Sequence, residues 1–169
     1  MSNAPIGHSA PAQSAEDFAA VLRAELDALD AFVGLLQAEQ EILVQGDADR
    51  LADLVPEKAY KIELLTFLGQ KRKRHLESQD LTDSADGMLT WLRRNPGFAA
   101  AVRKIWRELL SRAETARQFN DSNGLLIQRG LQQNQTRLAV LRTASASEGV
   151  YRPDGRLGQS HNSRSVLQA

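Results

Sequence analysis

The sequence lacks cysteine and is poor in aromatic and β-branched apolar residues. Without cysteine the chain has no disulfide framework, no thiolate zinc site and no cysteine nucleophile. Aromatic residues make up only 5% of the 169 residues, so we expect a thin, aliphatic core. Leucine and alanine number 47, whereas isoleucine and valine number 13. This balance favours helices over strands and argues against a sandwich, a barrel or a doubly wound sheet.

The sequence also lacks an excess of charge and a long apolar run. Twenty-one basic and 21 acidic residues give a formal net charge of zero, which provides no general attraction to nucleic acid or anionic membranes. No apolar run approaches the ~18 residues of a membrane span. The N-terminus has no basic region followed by an apolar segment, as a signal peptide would. We therefore expect a cytoplasmic protein that does not insert into membranes.

Apolar residues at helical spacing predict the fold and its domain boundaries. Ser14, followed by Asp17, is a candidate N-cap for a first helix that ends near Gln45. Gly46–Asp47 separates this helix from a second helix. Within the second helix, Pro56 predicts a kink or restart. A short helix precedes Asn95–Pro96, which should open the last helix. The prediction is an all-α, elongated antiparallel bundle of three long helices and one short helix over residues 15–144. A disordered arm (1–14) and a flexible tail (145–169) flank it.

The last helix carries the longest periodic pattern. Thirteen positions at helical spacing lie on one line along this helix. The helical spacing continues unchanged across Asn123–Gly124, which predicts one helix over residues 97–144 instead of a turn at that pair. These positions are Phe98, Val102, Ile105, Leu109, Ala113, Ala116, Asn120, Asn123, Ile127, Leu131, Asn134, Leu138 and Leu141.

The three asparagines on this line allow two interpretations. Paired asparagines can fix the register of a permanent coiled coil. Alternatively, this half of the helix is not permanently covered, and a partner exchanges with water there. Gly124 and Gly130 weaken the helix, either to permit close helix approach or to let it rearrange around a partner. Leu125 and Val140 point away from the line and are candidates for an exposed apolar face.

Candidate chemical sites are few. The histidines are His8, His75 and His161, with no Glu-x-x-His or His-x-x-x-His pair, so we expect no metal site, no cofactor and no catalytic residue. The basic run KRKRH at 71–75 could contact phosphate or an acidic partner, but it also suits the carbonyl end of a helix. We favour the second interpretation and expect no nucleic-acid binding. Tyr151, an isolated aromatic in the polar tail, has the form of a short docking motif.

Three segments together resemble the FlgN family of bacterial flagellar export chaperones, over roughly residues 16–156. They are ExxxLxxGDxxxLxxL from Glu39 to Leu54, which leads to Lys58; FNDSNGLLIQRGLQQNQTRLAVLR from Phe119 to Arg142; and VYRPDGR at 150–156.

The resemblance implies a small cytoplasmic helical protein without enzymatic activity. It would bind the hook–filament junction proteins FlgK and FlgL and deliver them to the flagellar type III export apparatus. The family's client-binding region corresponds to Asn120–Arg142 here, so the expected client-binding residues are Asn120, Asn123, Gly124, Leu125, Ile127, Leu131, Leu138 and Leu141. Tyr151 would dock to the export gate protein FlhA. The alternative function is a permanent coiled-coil structural or adaptor subunit; a helical nucleic-acid-binding protein or a bundle enzyme has less support in the sequence.

Overall fold

The computed structural model describes residues 9–148, and side chains within residues 13–145. In this range the chain forms four α-helices and no strand: α1 (Ser9–Gln45), α2 (Ala48–Glu77), α3 (Ala85–Arg94) and α4 (Ala99–Glu148). The predicted all-α fold of three long helices and one short helix is therefore confirmed. By packing, the chain divides into residues 1–126 and 127–169. The first unit contains the bundle, and the described part of the second is helical.

The turn between α1 and α2 forms as its residues predict. Gly46 adopts a left-handed φ of 72°, which suits a glycine just beyond a helix end. Asp47 caps α2, because its Oδ1 accepts a hydrogen bond from the Arg50 backbone N–H at 3.1 Å. Two residues thus reverse the chain and set α1 and α2 side by side in opposite directions.

Several predicted helix boundaries are wrong. α1 begins at Ser9, before the expected cap Ser14, and Pro11 lies in its first turn, where a missing N–H breaks no helical bond. α2 continues through Pro56 without restarting near Val55. Pro56 is exposed, so water can reach the backbone there.

The junction between α3 and α4 also differs from the expectation. Asn95 ends α3 instead of capping α4, because its Nδ2 donates to the Trp91 carbonyl at 2.9 Å. A turn follows it, and α4 begins at Ala99. α4 then runs unbroken through Asn123–Gly124, as predicted, and ends at Glu148, four residues later than expected.

Ion pairs and hydrogen bonds give the helix directions within the first unit. Arg112 Nε lies 2.7 Å from Asp30 Oδ1, and Gln40 Nε2 donates to Ser122 Oγ at 2.9 Å. Each pair joins residues 82 positions apart, so α1 and α4 run parallel. α2 is antiparallel to both.

The core of this unit is centred where α3 meets the long helices. Phe18, Trp91 and Val102 are fully buried there. Gly87 lies so close to the preceding loop that an added Cβ would stand 1.9 Å from the Thr82 carbonyl oxygen. Glycine therefore allows α3 to approach its own connecting loop. Two large apolar residues of α2, Val55 and Ile62, are exposed.

Candidate partner-binding face on the last helix

The burial of α4 changes along its length. Up to Asn123, buried residues recur at helical spacing: Val102, Ile105, Leu109, Ala116 and Asn123. From residue 131 to residue 145, every residue is exposed. Because both segments belong to one helix, the change reflects what covers each part and not a change in backbone conformation.

The part of α4 from Ile127 onward carries an apolar stripe on one side of the helix. We call this the α4 stripe; it consists of Ile127, Leu131, Asn134, Leu138 and Leu141. The successive spacings of four, three, four and three residues place these positions on one face. Leu131, Leu138 and Leu141 are 59%, 53% and 65% exposed, respectively. In a monomer this is a row of large apolar side chains in water, and such rows are typical of interaction surfaces.

Asn123 does not share this exposure, although it lies on the same line. It is 1% exposed, and its Nδ2 donates to the Leu36 carbonyl and to Glu39 Oε2, both at 2.8 Å. Its Oδ1 is buried without a hydrogen-bond partner among the described residues. Asn123 therefore fixes the position of α4 through Glu39 and the Leu36 carbonyl, not through a second asparagine. Asn120 and Asn134 are exposed, and exchange of a partner at these two residues stays a prediction.

An ion pair between α1 and α2 completes this polar contact, and sequence reasoning assigned it no role. Lys58 Nζ donates to both carboxylate oxygens of Glu39 at 2.8 Å. Glu39 thus receives hydrogen bonds from α2 and from α4, which satisfies a carboxylate that is mostly buried. The available signal was that Glu39 and Lys58 have opposite charges and lie on the two helices that flank the Gly46 turn, seven residues before and twelve residues after Gly46.

Gly124 and Leu125, two further expected client-binding residues, do not belong to the α4 stripe, and neither do Gly130 and Val140. A Cβ added at Gly124 or Gly130 would meet nothing within 4 Å, so neither glycine serves close helix approach among the described residues. Leu125 and Val140 are exposed. At a period of 3.6 residues they lie on the side away from the stripe. The structure therefore brings Ile127, Leu131, Leu138 and Leu141 together and separates Leu125 from them.

The basic run at 71–75 makes intramolecular contacts. Arg72 Nε lies 2.9 Å from Glu25 Oε2, and a second guanidinium nitrogen pairs with Asp83. The Arg72 guanidinium also lies over the Trp106 ring, 5.3 Å from its centroid. Arg72 therefore connects helices and the α2–α3 loop, in keeping with a structural role.

His75, in the same run, belongs to the aromatic core. Its ring stacks on Phe18 with centroids 4.2 Å apart, and Trp91 Nε1 donates to its Nε2 at 3.3 Å. Burial lowers the pKa of His75 below its usual value, and the nearby Asp17 carboxylate opposes this shift in part. The Trp91 contact suits a neutral ring, because a protonated Nε2 could not accept the tryptophan N–H.

A second exposed apolar area, which we did not predict, lies on α2. Tyr60 and Phe67 are exposed, and Lys71 Nζ lies 4.6 Å from the Phe67 ring centroid. These two aromatics are seven residues apart and so share one side of the helix.

The described residues contain no candidate metal centre. No group of three or more His, Asp or Glu side chains in this part of the chain could hold a metal ion. None of its helices is long and apolar enough to cross a membrane. Tyr151, the expected docking residue, lies outside the described residues.

Comparisons with known proteins agree on one family. The family model described as FlgN protein matches residues 14–159. Among curated proteins, the flagella synthesis protein FlgN of Proteus mirabilis is 25% identical over 147 residues, which cover 86% of this chain and 92% of that protein. No solved structure matches.

Proposed function

Because the chain belongs to the FlgN family, we propose that it acts in flagellar synthesis as a cytoplasmic, non-enzymatic export chaperone. Its clients would be the hook–filament junction proteins FlgK and FlgL, which it would hold before secretion. The observation that carries this proposal is the exposed α4 stripe. A soluble monomer leaves such a row uncovered where a partner supplies the missing apolar surface.

The mode of binding that suits the stripe is helix packing. A client helix with apolar residues at i, i+3, i+4 and i+7 matches a face whose own residues recur every three or four positions. Covering each large side chain of the stripe contributes roughly 1.5–3 kcal/mol of favourable free energy relative to leaving that side chain in water. The same contact would keep the client's apolar segment from premature assembly.

The test is calorimetric titration of purified FlgK and FlgL into variants of the full chain. Leu131→Ala and Leu138→Ala should each weaken binding by ~1 kcal/mol or more, as residues central to an interface do. Val140→Ala is the matched control, since Val140 is also exposed but faces away from the stripe. If the wild-type chain binds neither junction protein, the proposed function is wrong.

Delivery to the export apparatus is a separate part of the proposal and concerns Tyr151. Tyr151→Ala should leave folding and client binding nearly unchanged but lower the amount of client secreted, because the tyrosine would contact the export gate protein FlhA. Thermal melts, client titration and a secretion assay on the same variant separate these effects. Unchanged secretion would remove the docking role.

The spacing of the stripe also favours a second candidate, a permanent coiled-coil subunit. Alternating spacings of four and three residues are those of a two-stranded coiled coil. In that case the chain would purify as a stable homo-oligomer or with a fixed partner. Sedimentation equilibrium that gives a monomer, together with reversible client binding, would argue against this candidate.

A further inference from the structure

The helix segment that carries the α4 stripe has basic residues but no acidic ones. Between Asp121 and Glu148 the only charged residues are Arg129, Arg137 and Arg142. All three are exposed. None of them takes part in the ion pairs formed among residues 13–145. Since the whole chain has a formal net charge of zero, this segment is more basic than the rest of the chain.

Two of these arginines flank the stripe. At 100° per residue, Arg137 lies roughly 80° to one side of the stripe's centre and Arg142 roughly 60° to the other. Arg129 lies about 160° away, on the far side of the helix. In heptad terms, Arg137 and Arg142 occupy the two positions that border a helix–helix seam, where charged side chains select the partner.

A second copy of this segment is a poor occupant for the stripe. In a parallel coiled coil, the residue just before an apolar seam residue on one helix faces the residue five positions further along on the other helix. Arg137 would therefore face Arg142 of the second copy. Like charges at these sites oppose association. Residues 122–147 contain no aspartate or glutamate, so no pairing of this segment with itself offers either guanidinium a carboxylate.

A membrane surface also fits poorly. Helices that lie on membranes combine a wide apolar face with many basic residues. The α4 stripe is only one residue wide and is interrupted by the exposed Asn134. A narrow, interrupted stripe suits another helix, which can match each position.

We infer that the segment that covers the α4 stripe is an amphipathic helix of another protein with carboxylates beside its own apolar residues. This inference rests on the proposed function, because it names the chemistry of the client at the same face. The apolar residues would supply most of the affinity, and the carboxylates would pair with Arg137 and Arg142 at the rim. Charged residues at the rim of an interface mainly accelerate association and select the partner. Added salt screens the attraction between them.

The experiment uses the full chain with Arg137→Glu and Arg142→Glu as single variants. Arg129→Glu is the matched control, because it makes the same change of charge on the same exposed helix, away from the stripe. FlgK and FlgL are titrated into each protein at low and high NaCl concentration. Each flanking variant should weaken binding roughly fivefold at low salt, and high salt should shrink the difference. Arg129→Glu should stay within about twofold of wild type.

Equal binding by all four proteins would overturn the inference and leave the proposed function standing. Failure of the wild-type chain to bind either junction protein would end the proposed function, and designed peptides then test the inference. Two amphipathic helical peptides share leucines at seam positions and carry either glutamate or glutamine beside them. The inference is supported if the wild-type chain binds the glutamate peptide more tightly than the glutamine peptide and if the Arg137→Glu variant loses this difference. Equal binding of the two peptides, or binding only to vesicles of anionic lipid, overturns it.

Discussion

The Asn123 side chain on α4 donates a hydrogen bond to the Glu39 carboxylate on α1, 2.8 Å away, and the same carboxylate pairs with Lys58 on α2. One buried acidic group thus connects all three long helices. Asn123 is also the last buried residue of α4 among those described. The fully buried positions of α4 therefore end at a polar contact that is specific in its geometry.

This contact predicts a large effect of an isosteric change. Asn123→Asp removes the two donors and places a second carboxylate against Glu39 in a buried site. We expect the free energy of unfolding to fall by about 3–5 kcal/mol, the range for leaving a buried charge unpaired. Asn120→Asp is the matched control, because it makes the same change at an exposed site on α4, and should stay within about 0.5 kcal/mol of wild type. Urea unfolding followed by circular dichroism measures both; similar losses in the two variants would contradict the role of Asn123.

His75 predicts a pH dependence of stability. Its folded-state pKa is lowered, chiefly by burial, so the unfolded chain binds a proton more readily than the folded chain. The contribution of His75 to the free energy of unfolding is therefore fully present above the unfolded-state pKa of about 6.5, and it decreases as the pH falls below that value. His75→Phe keeps a ring on Phe18 but cannot titrate. Its stability should vary less between pH 7.5 and pH 5.5 than that of the wild type, as measured by urea unfolding. Equal slopes would show that His75 titrates alike in both states.

Leucines on α1 and on the α4 stripe should differ in their cost of truncation. Leu29 is 8% exposed, so Leu29→Ala should lower the free energy of unfolding by about 2–5 kcal/mol. Leu131→Ala and Leu138→Ala remove side chains that already face water and should cost less than about 0.5 kcal/mol each. Denaturant melts of dilute protein give these values. Similar costs at all three positions would mean that the stripe is a core buried by self-association.

The glycines of α4 provide a test of helix rearrangement. Gly124→Ala and Gly130→Ala fill open space and should stabilise the helix by roughly 1 kcal/mol each. Gly34→Ala, on α1, also fills open space and is the matched control. If α4 must rearrange around a client, the α4 variants bind the client less tightly, while Gly34→Ala binds normally. Unchanged binding in every variant would show that α4 binds the client without rearranging.

The sequence by itself determined the helices and most of their buried faces. Leucine-rich periodicity, the Gly46–Asp47 turn and the unbroken phase across Asn123–Gly124 are local signals, since each depends on residues within a few turns. The same signals placed Leu131, Leu138 and Leu141 on one side of α4. They could not show which of the positions on the line are covered, because burial depends on the neighbouring helices and not on spacing.

Only the tertiary structure decided the roles of the polar residues. Asn120, Asn123 and Asn134 are equivalent in sequence pattern, yet only Asn123 lies within reach of Glu39 and the Leu36 carbonyl. Arg72 and His75 belong to one basic run, but one pairs with carboxylates and the other stacks in the aromatic core. Val55 and Ile62 have the side chains of core residues and are exposed. Hydrogen bonds and ion pairs require atoms brought together from distant parts of the chain, and helical periodicity carries no information about that distance.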